Sequence, residues 1–311
     1  MDRRSFLMAA GGTGMMVFMP HSLRAAPKKP TVGLVMKSLA NEFFKDMQEG
    51  AVKHAQERGD LTLIPVGIQS ETDIDGQIAA VENLITRRVD ALVVAPADSR
   101  ALLPPVIRAL KAGIKVINID VAFDKASMRR HNVDIAFVGP DNRAGAKMSG
   151  DVLAKSLGKG GKVVVIEGNP GAENGIQRRL GFMDSIQEAG LTLLDSRTAH
   201  WETEEANTVF TNMLTAHADI QGVMSANDAM TLGVSKAIDA AGRKDIKIAS
   251  FDNIPAIQPL LKNGKVIATV DQFGSQLAAA GIDNAMKEIQ GQMLTGWIKT
   301  PLKLITAQNM G

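Results

Sequence analysis

Short apolar runs rich in valine and isoleucine recur along this chain, each bounded by Gly, Pro, Asp or Asn, and a stretch of helical periodicity separates most of them. The runs are Thr31–Met36, Leu61–Val66, Ala91–Ala95, Lys115–Ile119 and Ile135–Val138, then Lys162–Ile166, Thr192–Leu194, Gly222–Ser225, Ile246–Phe251 and Val266–Val270. Their lengths suit strands buried on both faces. Between them, Phe44, Met47, Ala51 and Ala55 repeat at helical spacing within residues 42–58, as do Ala206, Val209, Phe210, Met213 and Leu214 within 203–217. A strand that reaches the next through a helix crosses back and pairs in parallel, so the alternation specifies an α/β fold with helix-covered parallel sheets. About ten strands divide better between two sheets than one, although a closed eight-stranded barrel shares the same alternation. No low-complexity linker separates the halves; a tight Gly139-Pro140-Asp141-Asn142 turn stands between them. That arrangement fits two doubly wound lobes joined by several short crossovers. Such sheets bind ligands at the carboxyl ends of their strands, so two facing lobes would line a cleft with strand-end loops.

Composition removes many chemistries. The chain contains no cysteine, which excludes disulfides, thiolate catalysis, zinc–thiolate sites and lipid attachment through an N-terminal cysteine. It contains no tyrosine, and its five histidines (His21, His54, His131, His200 and His217) are not paired at metal-ligand spacing. A net charge of +2 gives no footprint for nucleic acid or an anionic membrane. There is no G-x-S-x-G elbow, and Gly158-Lys159-Gly160-Gly161-Lys162 lacks Walker spacing and precedes a strand, which makes it a turn. Neither a cofactor nor a metal is expected. At the N-terminus, Arg3-Arg4-Ser5-Phe6-Leu7 resembles a twin-arginine export signal. The weakly apolar Met8–Met19 that follows is too short and mild to anchor in a bilayer, and Ala25-Ala26 offers a cleavage point.

The strand-end loops are the most specific part of the sequence. Lys37-Ser38-Leu39-Ala40-Asn41-Glu42-Phe43-Phe44 carries an N-x-F-F loop, and Asp120 ends the fourth strand. Gly139-Pro140-Asp141-Asn142 stands at the crossover, and Arg178-Arg179-Leu180-Gly181-Phe182 opens a helix. Trp201, Asn227-Asp228, Phe251-Asp252 and Val270-Asp271-Gln272 follow in order. Together these resemble the ribose-binding type of periplasmic sugar receptor, from Pro30 to about Gln308. The resemblance implies a type I periplasmic-binding-protein fold, with a multi-strand hinge between an N-terminal lobe (31–140 plus 273–301) and a C-terminal lobe (141–272 plus 302–311), preceded by an export signal (1–29). It implies hydroxyl-binding roles for Lys37, Asn41, Asp120, Arg178, Asn227, Asp252 and Gln272, and aromatic walls from Phe43, Phe44 and Trp201. The chemistry is coherent by itself. Carboxylates accept and guanidinium donates at neighbouring hydroxyls, while rings cover C–H faces. Helix caps at Asn41, Asn227 and Asp252 are equally consistent with the sequence, as is a solvated Lys37.

Val121 follows Asp120 where the family's ribose binders have an arginine, and Lys37 replaces a small hydroxyl residue, which points to another ring, a hexose or an acyclic sugar alcohol. Lys37 and Arg178 balance Asp120 and Asp252, so a neutral carbohydrate or polyol is expected. The resemblance further implies a monomeric periplasmic component of an ABC importer, which delivers its ligand to an inner-membrane permease by hinge closure and catalyses nothing. It implies no nucleic-acid partner and no membrane span once the signal is removed. A receptor feeding a chemosensory or sensor-kinase protein shares these features. A repressor core would need a DNA-binding helix-turn-helix that Met1–Pro30 does not contain. A glycan-processing enzyme would have to use Asp120 and Asp252 as an acid–base pair.

Overall fold

The computed structural model describes residues 28–310; the export-signal motif at Arg3-Arg4 lies outside them. Two separate six-stranded open sheets form the fold, which excludes the closed barrel. In the first sheet the strands are β1 (Thr31–Ser38), β2 (Thr62–Ile68), β3 (Ala91–Val94), β4 (Lys115–Ile119), β5 (Phe137–Gly139) and β11 (Trp297–Lys299). They lie in the order β11-β5-β4-β3-β1-β2, all parallel. The second sheet contains β6 (Lys162–Glu167), β7 (Thr192–Thr198), β8 (Gly222–Ser225), β9 (Lys247–Ala249), β10 (Val266–Asp271) and β12 (Lys303–Ile305), in the order β12-β10-β9-β8-β6-β7. Only β12 runs antiparallel to its neighbour there.

Each of the ten expected runs overlaps a strand; Lys115–Ile119 and Gly222–Ser225 match residue for residue, and the others have shifted ends. The seventh extends to Thr198, and the ninth shrinks to Lys247–Ala249, beyond which Ser250 bonds Asp228 and Thr231 and Asp252 turns into the site. The sequence reading missed β11 and β12, three-residue edge strands whose lysines and partly exposed side chains give no core-strand signal.

Both sheets are buried on both faces. In β1, Val32, Leu34 and Met36 point into one apolar cluster with α1 (Glu42–Arg58) and α10 (Gly274–Ile289). Val35 points into another with α2 (Ile74–Thr86) and α3 (Leu103–Lys111). This two-residue period explains why the strand reads as a continuous apolar run. In the second lobe, α5 (Asn142–Leu157) packs beside α6 (Glu173–Ala189), and α7 (Thr203–Ala216) beside α8 (Asp228–Ala240).

The chain passes between sheets three times: after β5 at Gly139, after β10 at Asp271, and from β11 to β12 through Thr300–Leu302. Loops at the carboxyl ends of strands in both sheets meet across the interlobe gap, Glu71 after β2 against Glu202 after β7. No helix among the described residues is long and apolar enough to cross a membrane.

Candidate functional site

All ten residues singled out in the sequence line one small enclosed space between the lobes: Lys37, Asn41, Phe43, Phe44, Asp120, Arg178, Trp201, Asn227, Asp252 and Gln272. Asn174, in the first turn of α6, joins them. Each sits at a strand end or the start of the following helix, except Arg178, which reaches in from the second turn of α6. Three of them, Asp120 (φ 62°), Trp201 (φ 72°) and Asp252 (φ 115°), occupy positive-φ backbone. Such conformations cost roughly 1–3 kcal/mol each and persist only where the surroundings dictate them, so their concentration here marks a functional surface.

The cap and site readings coincide for two residues. Asn41 Oδ1 accepts from Phe43 N at 3.1 Å and starts α1, while its Nδ2 donates to Glu71 Oε1 at 3.0 Å. Asn227 Oδ1 accepts from Met230 N at 2.8 Å and caps α8. Asp252 caps no helix; its Oδ1 accepts from Gln272 Nε2 at 2.7 Å and lies 3.4 Å from Arg178 Nη1. Glu173 accepts from Gln177, and Arg178 turns into the cleft. Its Nε donates to Asn142 Oδ1 and its Nη1 to Ala226 O, both at 2.9 Å, and its guanidinium lies 3.7 Å from the Phe251 ring centroid. Arg179 faces outward to Glu167. His200, at the rim, holds Glu205 at 2.8 Å.

Lys37 does not point to solvent. It is 2% exposed, its Nζ lies 2.7 Å from Glu71 Oε2, and the same nitrogen sits 5.1 Å from the ring centroids of both Phe44 and Trp201. Phe43 meets Phe44 edge to face at 5.1 Å. Sequence reasoning missed Glu71, which lies in the loop after β2 and gives no signal except its place at a strand end. It also missed Asn142 and Asn174, which sit on helices. Glu71 corrects the charge count: three carboxylates (Glu71, Asp120 and Asp252) face Lys37 and Arg178, where the sequence had suggested two against two.

Burial dominates the electrostatics. It pushes the Asp252 carboxyl up to about 8, against the pull of Arg178. Behind it, Asp228 is pushed up to about 7 by burial, although it accepts from Ser250, Thr269 and Ile254 N. Asp120 and Glu71 are raised for the same reason, with Lys37 opposing in each case. Several buried polar atoms of the site have no partner among the described residues: both oxygens of Asp120, Gln272 Oε1, Asn174 Oδ1 and Trp201 Nε1. Orphaned buried polar atoms are rare in folded proteins. Here acceptors and a donor converge between aromatic walls, a lining that suits a small molecule rich in hydroxyls. Among the described residues no His or carboxylate cluster could hold a metal ion.

The two walls are held together directly. Glu71 N donates to Glu202 Oε1 at 2.8 Å, Ser99 N to Gly171 O at 2.9 Å, and Glu173 N to Ser99 Oγ at 2.9 Å. A larger cavity of about 680 Å³ opens beside the crossovers, walled by Phe123, Met128, Ile135, Phe137 and Trp297; it shares only Asn174 with the cleft.

The model of the periplasmic binding protein domain matches residues 32–293. The chain is similar to the D-ribose/D-allose-binding protein of Pseudomonas aeruginosa, with 44% identity over 98% of each protein. It is similar to the ribose import binding protein RbsB of Escherichia coli at 31% identity, over 91% of this chain and 93% of that one. Among solved structures, an ABC transporter solute-binding protein from Burkholderia multivorans superposes with a TM-score of 0.88 at 41% identity, covering 90% of this chain and all of that one. A periplasmic one from Actinobacillus succinogenes, with bound D-allose, gives 0.85 at 35% identity, over 90% and 98%.

Proposed function

The chain belongs to the periplasmic binding protein family, and from that premise we propose that it is the sugar-binding component of an ABC importer, which encloses one neutral sugar or sugar alcohol between its lobes. The observation that carries this reading is the convergence of unpartnered acceptors on Asp120, Gln272 and Asn174 with the rings of Phe44 and Trp201 in a closed interlobe space. A sugar hydroxyl donates to a carboxylate and accepts from an ammonium or amide, and the C–H faces of the ring lie against the aromatic walls. The ten sequence-identified residues are its ligand shell, to which Asn174 is added.

In this reading binding is hinge bending at the three crossovers, with lobe limits at 140/141, 272/273 and 301/302. The ligand stabilises the arrangement in which Glu202 reaches Glu71 N. The closed form is what an inner-membrane permease recognises, and the protein acts as a monomer after export through the twin-arginine-like leader. It is a binder and not an enzyme. In support, Asp252 is tied to Arg178 and Gln272, an arrangement for holding a ligand more than for moving a proton.

Thermal shift and calorimetry of the mature protein against pentoses, hexoses, polyols and sugar acids test the reading. D-ribose and D-allose come first, because the relatives' names carry them. Stabilisation by about 2.7 kcal/mol at one hundred times the dissociation constant is expected for one neutral ligand. No response to any neutral sugar or polyol would refute it.

A further inference from the structure

We propose that Glu71 determines the charge specificity of the cleft: by neutralising Lys37 it leaves an ammonium that donates hydrogen bonds without attracting anions, so the site takes neutral polyhydroxylated ligands and rejects sugar acids. This rests on the sugar-binding reading above and specifies which sugars it covers.

The geometry makes Glu71 a fixed counterion. Its side chain is 1% exposed and that of Lys37 3%, at 2.7 Å. Its second carboxylate oxygen is held by Asn41 Nδ2, and its own backbone N–H is held by Glu202 of the opposite lobe. Asn41 and Lys37 share its lobe and hold it as a ligand enters, and Glu202 adds its hold when the lobes are closed. Lys37 has three N–H donors and Glu71 engages one side of the ammonium. The same nitrogen lies 5.1 Å from the ring centroids of both Phe44 and Trp201 on the wall of the cleft, so its remaining donors are within reach of a ligand oxygen. The other cation, Arg178, is already committed to Asn142, Ala226 O and Asp252. Each cation of the cleft thus already has a carboxyl group as partner. A ligand carboxylate would compete with Glu71 for one ammonium and face Asp120 and Asp252 as well. Burying an uncompensated charge there is costly, whereas a hydroxyl bridging Lys37 and Asp120 adds none. Rejection built from a like charge is a recognised route to specificity.

The competing account is that Glu71 only ties the β2–α2 loop to β1. The ratio of acid to neutral affinity separates the two, because a loosened loop weakens both ligands alike. Calorimetry with D-ribose and D-allose as neutral probes, and D-ribonate and D-glucuronate as anions, reads that ratio. Glu71→Gln keeps the shape and the acceptor for Asn41 and is expected to raise the acid-to-neutral ratio by about 10-fold or more. Glu71→Asp is expected to restore the wild-type ratio, and Lys37→Gln added to Glu71→Gln to cancel the rise. A ratio that stays within about 2-fold of wild type in folded Glu71→Gln, or a rise that survives the loss of Lys37, overturns the proposal. If Glu71→Gln is unfolded alone, its rescue by millimolar D-ribonate but not by D-ribose supports the same selectivity, and any other pattern counts against it. Wild-type protein that binds no neutral sugar or polyol overturns the sugar-binding reading itself; wild type that binds one beside an unchanged variant ratio overturns only the role of Glu71.

Discussion

Replacing Asp252 by asparagine is expected to stabilise the ligand-free protein while removing most of its affinity. The Asp252 carboxyl is held at about 8 against an ordinary value of 3.8, with burial as the main cause. The folded protein therefore keeps that proton through an interval in which the unfolded chain has released it. The sign follows from proton counting: between about pH 4 and pH 8 the native state binds more protons, so stability falls as pH rises, by up to ~1.4 kcal/mol per unit for one group. The stabilising protonation is complete below about pH 4 and lost above about pH 8. Asp228, held at about 7, adds a slope of the same sign over a narrower window. Asparagine never ionises, and its Oδ1 still accepts from Gln272 Nε2 and Arg178 Nη1, so neither donor is orphaned. Removing the charge also removes the Coulomb attraction to Arg178. That attraction is already included in the shift to about 8, so the net gain expected for the empty protein at pH 8 is on the order of a few kcal/mol, with a shallower pH slope. The ligand meanwhile loses its carboxyl partner, worth about 1–3 kcal/mol, or about 5–150-fold in affinity. Urea denaturation of ligand-free protein at pH 6 and pH 8, with calorimetry against the best neutral sugar, reads both effects. A variant less stable than wild type at pH 8, or one that binds sugar as tightly, would refute the reasoning.

Three further outcomes follow from the same geometry. A Cβ at Gly168 would lie 2.1 Å from the Trp201 ring, so Gly168→Ala displaces that wall; about 1–3 kcal/mol of stability and about 10-fold or more in sugar affinity should be lost, read by thermal melts and titration. Glu202→Ala removes the acceptor that spans the lobes to Glu71 N, so dissociation should quicken by about 3–30-fold while the melting temperature of the empty protein changes little; an unchanged dissociation rate in stopped-flow fluorescence would refute it. Gln77 is fully buried, donates to Met36 O and Ala95 O, and accepts from Ala97 N, so Gln77→Leu should cost about 2–4 kcal/mol by orphaning backbone groups beneath β1 and β3, measured by chemical denaturation.

Much of this was legible one residue at a time. The Val- and Ile-rich runs place ten strands because a strand covered on both faces must be apolar throughout, and β1 carries that signature in Val32, Leu34, Val35 and Met36. The seven polar residues announced themselves as Lys, Asn, Asp, Arg and Gln at or near strand ends, and they line the cleft together with the three aromatic residues. The strands β11 and β12 escaped notice because three partly exposed residues at a sheet edge form no pattern. Glu71 escaped because a carboxylate in a loop looks solvated until the fold places a buried lysine beside it.

Periodicity and turn chemistry are local properties, so the chain's own order of residues was enough to specify parallel α/β lobes and to nominate the ligand shell. Charge balance in a cleft is not local. Lys37 and Glu71 lie on neighbouring strands' ends, Glu71 meets Glu202 across the gap, and Asp252 meets Arg178 from another element of its lobe. Whether each charge is paired, and how far burial shifts it, depends on distances of a few ångströms between segments remote in sequence. Coulomb and desolvation energies depend on separation and solvent access, so only the packed molecule decided that the cleft holds a neutralised lysine and a carboxyl near neutrality.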